Sequence, residues 1–266
     1  MAQLKNHLDV YKLLPKTNCR ACGLAACLAF AVGVMQGQKR LADCPHLAPE
    51  VVAQFDKAGG GQARPADDVQ QRVLALQDQV RQCDLAAAAQ RLGLAMRGNQ
   101  MVIPCLGKDF NLGPDGIVSS CHVNSWLSLP ILDYALHGAG VEPRGQWTPL
   151  RELPGGLDWG NFFEHRCEKP LKKVIDEHTS LFELIIDIFS GQPAPAQFDS
   201  DIAVLIHPLP RLPMLLCYWK AEDGMDSAFN MFFDSTAHEN LGVGSIYILG
   251  VGLVTMFEKI ARTHGQ

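Results

Sequence analysis

Apolar positions along the chain change their spacing several times, and these changes predict the elements. Val69, Val73, Leu76, Val80, Cys83 and Ala87 recur at three- and four-residue steps, which predicts one long amphipathic helix ending near Gly93. Asp67 and Asp68 stand ahead of it as capping candidates. The pattern then shortens. "QMVIPCLG", "KDFNL" and "GIVSSCHV" are short and β-rich, and "GPDG" between the last two predicts a hairpin turn. "WLSLPILDYALHGAG" predicts a helix stopped by glycines, residues 141–160 an ordered loop rich in Pro and Gly, and "EHTSLFELIIDIFSG" another helix. "DIAVLIHPLP" and "LPMLLCYWK" predict adjacent buried strands, with "SAFNMFF" as a third, and "SIYILGVGLVTMFEKIAR" predicts a closing helix.

The first 52 residues follow a different logic, set by cysteines. "KAGGGQARPADD" after them has the Gly, Pro and polar content of a linker. The expected organisation is a cysteine module at residues 1–56, a linker at 57–68 and an α+β domain at 69–266. The fold class is thus α+β, a small N-terminal cysteine module plus a larger mixed α/β domain. With 266 residues, 47% of them hydrophobic and 19% charged, the chain can bury a real core.

Charge is unevenly spread. Residues 1–57 hold seven basic against four acidic residues, a net +3, so the remainder carries −8 of the total of −5. This balance argues against non-specific nucleic-acid binding. The N-terminus lacks the apolar run and cleavage site of a signal peptide, so a cytoplasmic location is expected. "GVGSIYILGVGLVTMF" holds four glycines in 16 residues. At that length a packed helix is expected rather than a membrane span.

The cysteine spacing is Cys19-x2-Cys22-x4-Cys27-x16-Cys44-Pro45. Four thiolates, three from one tight loop and one returning from a distance, are what a [4Fe–4S] cluster needs, one per iron. Gly23 relieves crowding where backbone wraps the cluster, and Cys27 falls in the first turn of "LAACLAFAVGVMQG", where helix amides favour negative charge. Gly37 is placed to end that helix, and Pro45 stiffens the chain after the last ligand. A structural zinc also takes four thiolates, but zinc sites usually pair two short CxxC knuckles and only one is present here. Disulfides would need an oxidising compartment that nothing indicates.

These residues carry a resemblance. "YKLLPKTNCRACGLAACLAFAVGVMQGQKRLADCPHL" resembles the [4Fe–4S] domain of the corrinoid iron–sulfur protein large subunit and of the Rnf complex B subunit. "LLPKTNC", "CG", "CLAFA" and "DCP" carry it, over about the first 50 residues. Arg20 departs from it, standing where many relatives would carry glycine. "RLGL", "MVIPCLGKDFNLGPDGIVSSCHVNSWLSLPILDYALHGAG", "GQWTPLRELPGG" and "LPMLLCYWKAEDGMDSAFNMFFDSTAHENLG" resemble a domain of unknown function that follows this module in anaerobic bacteria and archaea.

Elsewhere the chemistry is sparse. Cys121 and His122, His165 and Cys167, with Cys105 on a nearby predicted strand, read as core thiols and hydrogen-bonded histidines, with a second metal site as the alternative. Glu222, Asp223 and Asp226 read as a solvated acidic loop, with a cation or polar-ligand site as the alternative. No phosphate-binding glycine loop or nucleophile elbow occurs. A redox or accessory protein is therefore expected rather than a stand-alone enzyme. Its cluster would exchange single electrons with a redox partner presenting an acidic docking face. The resemblance implies a role in anaerobic metabolism, with a corrinoid or another small ligand as the further partner. The alternative function is ligand binding or metalloenzyme maturation, with a structural or sensory cluster.

Overall fold

The computed structural model describes residues 7–35, 39, 41–52, 65–120, 123–178, 180–194, 198–222 and 224–264. The chain divides into two compact units, residues 1–72 and 73–266. Of the expected linker, residues 57–64 lie outside the described residues, and helix begins at Pro65.

In the first unit, α1 (His7–Leu13) packs against α2 (Cys27–Met35). Val10, Leu14, Phe30, Ala31 and Leu41 form a small buried core, joined by Cys27 and Cys44. α2 begins at Cys27, as its pattern predicts; Gly37 lies outside the described residues.

The larger unit is α+β. The long helix expected through residue 93 is two helices, α3 (Pro65–Gln82), whose first eight residues belong to the first unit, and α4 (Leu85–Leu92). Asp84 interrupts the periodicity. It has extended backbone, and its carboxylate accepts the Ala86 and Ala87 amides at 3.0 Å each, so it caps a new helix. Gly93 ends α4 in the left-handed conformation, as expected. Strands β1 (Ala95–Arg97), β2 (Gln100–Cys105), β3 (Lys108–Gly113) and β4 (Gly116–Ser119) follow as an antiparallel meander. The "GPDG" turn joins β3 to β4. β1 was not expected.

Helix α5 (Ser125–His137) is capped by Asn124, whose Oδ1 accepts the Leu127 amide at 3.0 Å. The expected loop after it contains β5 (Trp147–Pro149). Buried Asp234 anchors this loop, accepting the Arg144 and Gly145 amides at 3.1 and 2.6 Å. Asn240 pins Val141 through both its amide and its carbonyl.

Helix α6 (Gly160–Phe163) runs through a π-helical turn at Glu164–Glu168 into α7 (Lys169–Glu177), a segment the apolar pattern did not reveal. α8 (Leu181–Phe189) leads to β6 (Gln192–Pro193), β7 (Ile202–Leu209), β8 (Leu212–Trp219) and β9 (Ala228–Asp234). The second sheet is antiparallel, in the order β5-β9-β8-β7-β6. β8 is buried on both faces, which explains its continuous apolar run. After α9 (Ala237–Asn240) the chain ends in α10 (Val243–His264).

α10 is longer than the 16-residue apolar stretch suggested, and by length and composition alone it could cross a membrane. Here Ile246, Leu249, Leu253, Phe257 and Ala261 are buried, and the helix packs against α5, α7 and α8. Its glycines have a packing reason. A Cβ at Gly250 would lie 2.6 Å from Phe163 Cε2 and 3.3 Å from Cys167 Sγ, so only glycine lets the π-helical segment seat this closely. Phe163 then meets Phe233 of β9 edge-on at 5.6 Å.

The π-helical turn carries Glu168 into the interior. Its carboxylate accepts the Met231 amide at 3.0 Å and Asn230 Nδ2 at 3.4 Å. Burial pushes the Glu168 carboxyl up, and nearby Glu164 adds to this, while the two hydrogen bonds and Arg151 oppose it. A raised folded-state value means the folded state holds a proton the unfolded state releases. Stability from this group is complete below about pH 4.5 and is lost as pH climbs through the folded value. Glu168→Gln keeps an acceptor for Met231 but does not titrate. Melting curves from about pH 5 to about pH 8 should therefore show wild type losing stability relative to Glu168→Gln as pH rises. A difference that stays constant over that range would contradict the assignment.

Candidate metal centre

Three of the four predicted ligands come from the connection between α1 and α2. Lys16, Asn18 and Arg20 have left-handed backbone, with φ of 61°, 48° and 62°, and Gly23 follows at 79°. Left-handed residues thus alternate with residues of negative φ from 16 to 20. Alternation of this kind is the backbone pattern of anion-binding nests. For lysine and arginine the conformation is strained by roughly 1–2 kcal/mol per residue, so surrounding structure must hold it. The Gly23 amide donates to the Arg20 carbonyl at 2.9 Å, closing the turn between Cys19 and Cys22. Arg20 is therefore a glycine-favouring position occupied by a cation, which gives the physical reason a glycine is expected there.

Asn18 has a second task. Its Oδ1 accepts the Cys27 amide at 2.8 Å, which ties the loop to the first residue of α2. Lys39 Nζ donates to the Cys22 carbonyl at 2.9 Å and holds the loop from the other side. Cys44 follows a single 3-10 turn, Leu41–Asp43, and its amide donates to the Leu41 carbonyl at 3.1 Å.

The result is convergence. Cys19, Cys22, Cys27 and Cys44 line one small cavity, walled also by Leu14, Leu24 and Phe30. All four are free thiols. Cys27 and Cys44 are buried, Cys22 is half-buried and Cys19 is exposed, as is the whole of Pro15–Arg20. The Cys19 thiol is pulled down, first by the Ala21 backbone and then by the Thr17 side chain. The donor set is all sulfur, carried by a loop with the backbone pattern of an anion nest. These residues fit an iron–sulfur group, a negatively charged inorganic cluster held by thiolates. Among the described residues, no three His, Cys, Asp or Glu side chains are grouped as a single metal ion requires.

Other candidate residues are placed apart. Cys121 and His122 lie outside the described residues. His165 is exposed, with Nδ1 2.9 Å from the Asn161 carbonyl of its own helix. Cys167 is fully buried, and burial pushes its thiol up, which keeps it protonated in the core. Cys105 is buried in β2. Glu222 and Asp226 are exposed in the turn after β8, where Glu222 bridges Met225, and Asp223 lies outside the described residues. Sequence reasoning passed over Glu168, Arg151 and Asn18. Only Asn18 carried a signal, as a helix-capping residue type close before an apolar helix.

Comparison with known proteins agrees with this division. Residues 14–46 match an Fe-S cluster family. Over 41 residues the chain is 51% identical to the acetyl-CoA decarbonylase/synthase complex subunit gamma of Methanothermobacter thermautotrophicus, covering 15% of this chain and 9% of that protein. Over 51 residues it is 41% identical to the corrinoid/iron-sulfur protein large subunit of Moorella thermoacetica, covering 19% of this chain and 11% of that protein. The chain thus spans about a tenth of the length of these curated relatives. No solved structure matches it. Residues 84–256 match the family described as Domain of unknown function (DUF3786), and since that is more than half of the chain, the protein belongs to this family.

Proposed function

We propose that residues 1–56 hold a [4Fe–4S] cluster on Cys19, Cys22, Cys27 and Cys44, and that residues 69–266 form the body it serves. In this proposal the chain exchanges single electrons with a partner protein or cofactor in anaerobic one-carbon metabolism, in the cytoplasm. The observation that carries it is the convergence of the four thiols on one cavity at an exposed loop. When bound, such a cluster supplies reversible one-electron chemistry.

The protein's own residues set the terms of that chemistry. One zinc ion would draw its thiolates to about 2.3 Å from a single centre, whereas the thiolates of a cube attach to separate irons. What supports the cube over zinc is the spacing, one CxxC pair and two further cysteines rather than two short knuckles, together with the match of residues 14–46 to an Fe-S cluster family. Four ligands for four irons also leave none for a substrate, which favours electron transfer over Lewis-acid catalysis. Exposure of Cys19 and its loop gives a partner close approach, while Phe30 and Leu14 keep water from the inner side. The curated relatives named above are a subunit of an acetyl-CoA decarbonylase/synthase complex and a corrinoid/iron-sulfur protein subunit, which supports a protein partner and the one-carbon setting.

Anaerobically purified protein should contain about four iron and four sulfide per chain. Replacing Cys19, Cys22, Cys27 or Cys44 with Ser should abolish or convert the cluster, whereas Cys83→Ser and Cys217→Ser should leave it intact. Dithionite should reduce it in one electron to a paramagnetic state, and reoxidation should restore it. Zinc as the sole metal would overturn the cluster assignment. A cluster that collapses on reduction would instead favour the structural or sensory role of a ligand-binding or maturation protein.

The partner's docking face should be acidic. Lys12, Lys16 and Arg20 are exposed and close to the cysteines in sequence, Lys12 pairing with Asp9 at 3.3 Å, and Lys39 is half-buried, while Arg40 lies outside the described residues. Electron transfer from a small acidic flavoprotein donor should therefore slow as salt rises from low to physiological strength, where screening acts over about 8 Å. A rate indifferent to salt would exclude an electrostatic docking face.

A further inference from the structure

The larger unit has a cleft built around the π-helical turn, and nothing in the iron–sulfur reading uses it. Two adjoining lobes share Arg151, Glu164 and Glu168 as a common wall. The larger lobe, about 410 Å³, adds Lys169, Lys172 and Asn230, with the hydroxyl of Ser227 at its edge. Its volume lies within the range of about 300–1,000 Å³ typical of small-molecule sites. The smaller lobe, about 180 Å³, adds Asn161 and the apolar Pro149, Leu150, Leu157 and Phe163 to the shared charged wall, with Leu150 and Phe163 buried behind it. Leu157 is 81% exposed there, a large apolar side chain left in water beside a charged recess.

Charge in the cleft is mostly cancelled except at one point. Glu164 is held by Lys169 at 3.0 Å. Lys172 is held by Asp176 at 2.7 Å, and Asp176 also accepts the hydroxyls of Tyr218 and Ser227 at 2.8 and 2.7 Å. Glu168 faces inward to the Met231 amide, and burial favours its neutral form. Among the described residues Arg151 has one ion pair, a loose one with its chain neighbour Glu152 at 3.7 Å between side chains 59% and 60% exposed, and it also lies close enough to Glu164 and Glu168 to favour their charged forms without an ion pair to either. Such a surface pair holds a guanidinium weakly. The base of the Arg151 side chain, but not its guanidinium, is packed. A Cβ on Gly160 would come within 2.8 Å of Arg151 Cβ, so the start of α6 is seated directly against it.

We propose that this cleft binds a small organic anion with an apolar body, its carboxylate or phosphate taken by Arg151 and its body lying against Leu157 and Pro149. A guanidinium presents paired donors that match either headgroup, and Lys172 and Asn230, whose ammonium and amide carry further hydrogens, supply more donors around it. The π-helical turn that shapes the wall belongs to a class of helix irregularity frequent at functional sites. The site lies wholly within the DUF3786 match, apart from the cysteines, so it stands or falls independently of the cluster.

The test is calorimetric titration of the anaerobically purified full chain with phenyl phosphate, inorganic phosphate and benzyl alcohol, in wild type and Arg151→Gln. Phenyl phosphate should bind more tightly than inorganic phosphate, which presents its charged group alone, or benzyl alcohol, which presents a neutral aromatic body of similar size. Arg151→Gln should weaken it about tenfold or more, the scale of losing a hydrogen bond to a charged group, while iron content and melting temperature stay unchanged. Four results would overturn the proposal: no phenyl phosphate binding, equal binding by Arg151→Gln, equal affinity for inorganic phosphate, or equal affinity for benzyl alcohol.

Discussion

Four thiols must reach one space from a chain that would otherwise carry them past each other, and the backbone between α1 and α2 bends to meet that demand. Lys16, Asn18, Arg20 and Gly23 all take positive φ within eight residues. No hydrophobic core recovers that strain locally, because Pro15–Arg20 is exposed. What holds the loop is polar: Asn18 on the Cys27 amide, Lys39 on the Cys22 carbonyl and the Arg20–Gly23 turn. A bound cluster would add four bonds to iron in the same place, and metal–ligand energy of that kind is folding energy for so small a module. The core of Val10, Leu14, Phe30 and Leu41 then needs only to fix the two helices that carry the ends of the loop.

The larger unit is organised around close approach instead. Gly250 lets α10 come against Phe163 and Cys167, and that contact presses the π-helical turn toward β9. Glu168 is carried inward as a consequence, and it satisfies the Met231 amide and the Asn230 side chain. A buried carboxyl costs stability unless its hydrogen bonds are made, and here two are. The same residue forms part of the wall of the proposed cleft. The two units thus concentrate their unfavourable features, left-handed backbone in one and a buried acid in the other, where chemistry is expected.

Most elements were legible because their signals are local. The turn "GPDG", the glycines after α5 and the continuous apolar runs of β7 and β8 each mark a boundary or a burial state without reference to the rest of the chain. The cysteine spacing likewise indicated which thiols converge. The break at Asp84 was missed because apolar periodicity continues across it, although Asp before "LAAAA" was a readable cap. The left-handed Lys16 and Arg20 left no trace, since only glycine advertises that conformation in sequence. The segment from Gly160 to Glu177 was hidden for the opposite reason. Its inward face includes Glu168, and a charged residue at a core position conceals the helical pattern on which such predictions rest.

The central claim is that the four thiols hold one cluster of four irons. Mössbauer spectroscopy of the chain grown on iron-57 and purified anaerobically tests it most directly, because it reports how iron atoms are coupled as well as how many are present. The account predicts a single signal from valence-delocalised iron pairs in a diamagnetic cluster, lost in Cys22→Ser. Iron in isolated high-spin sites, or coupled only in pairs, would contradict it.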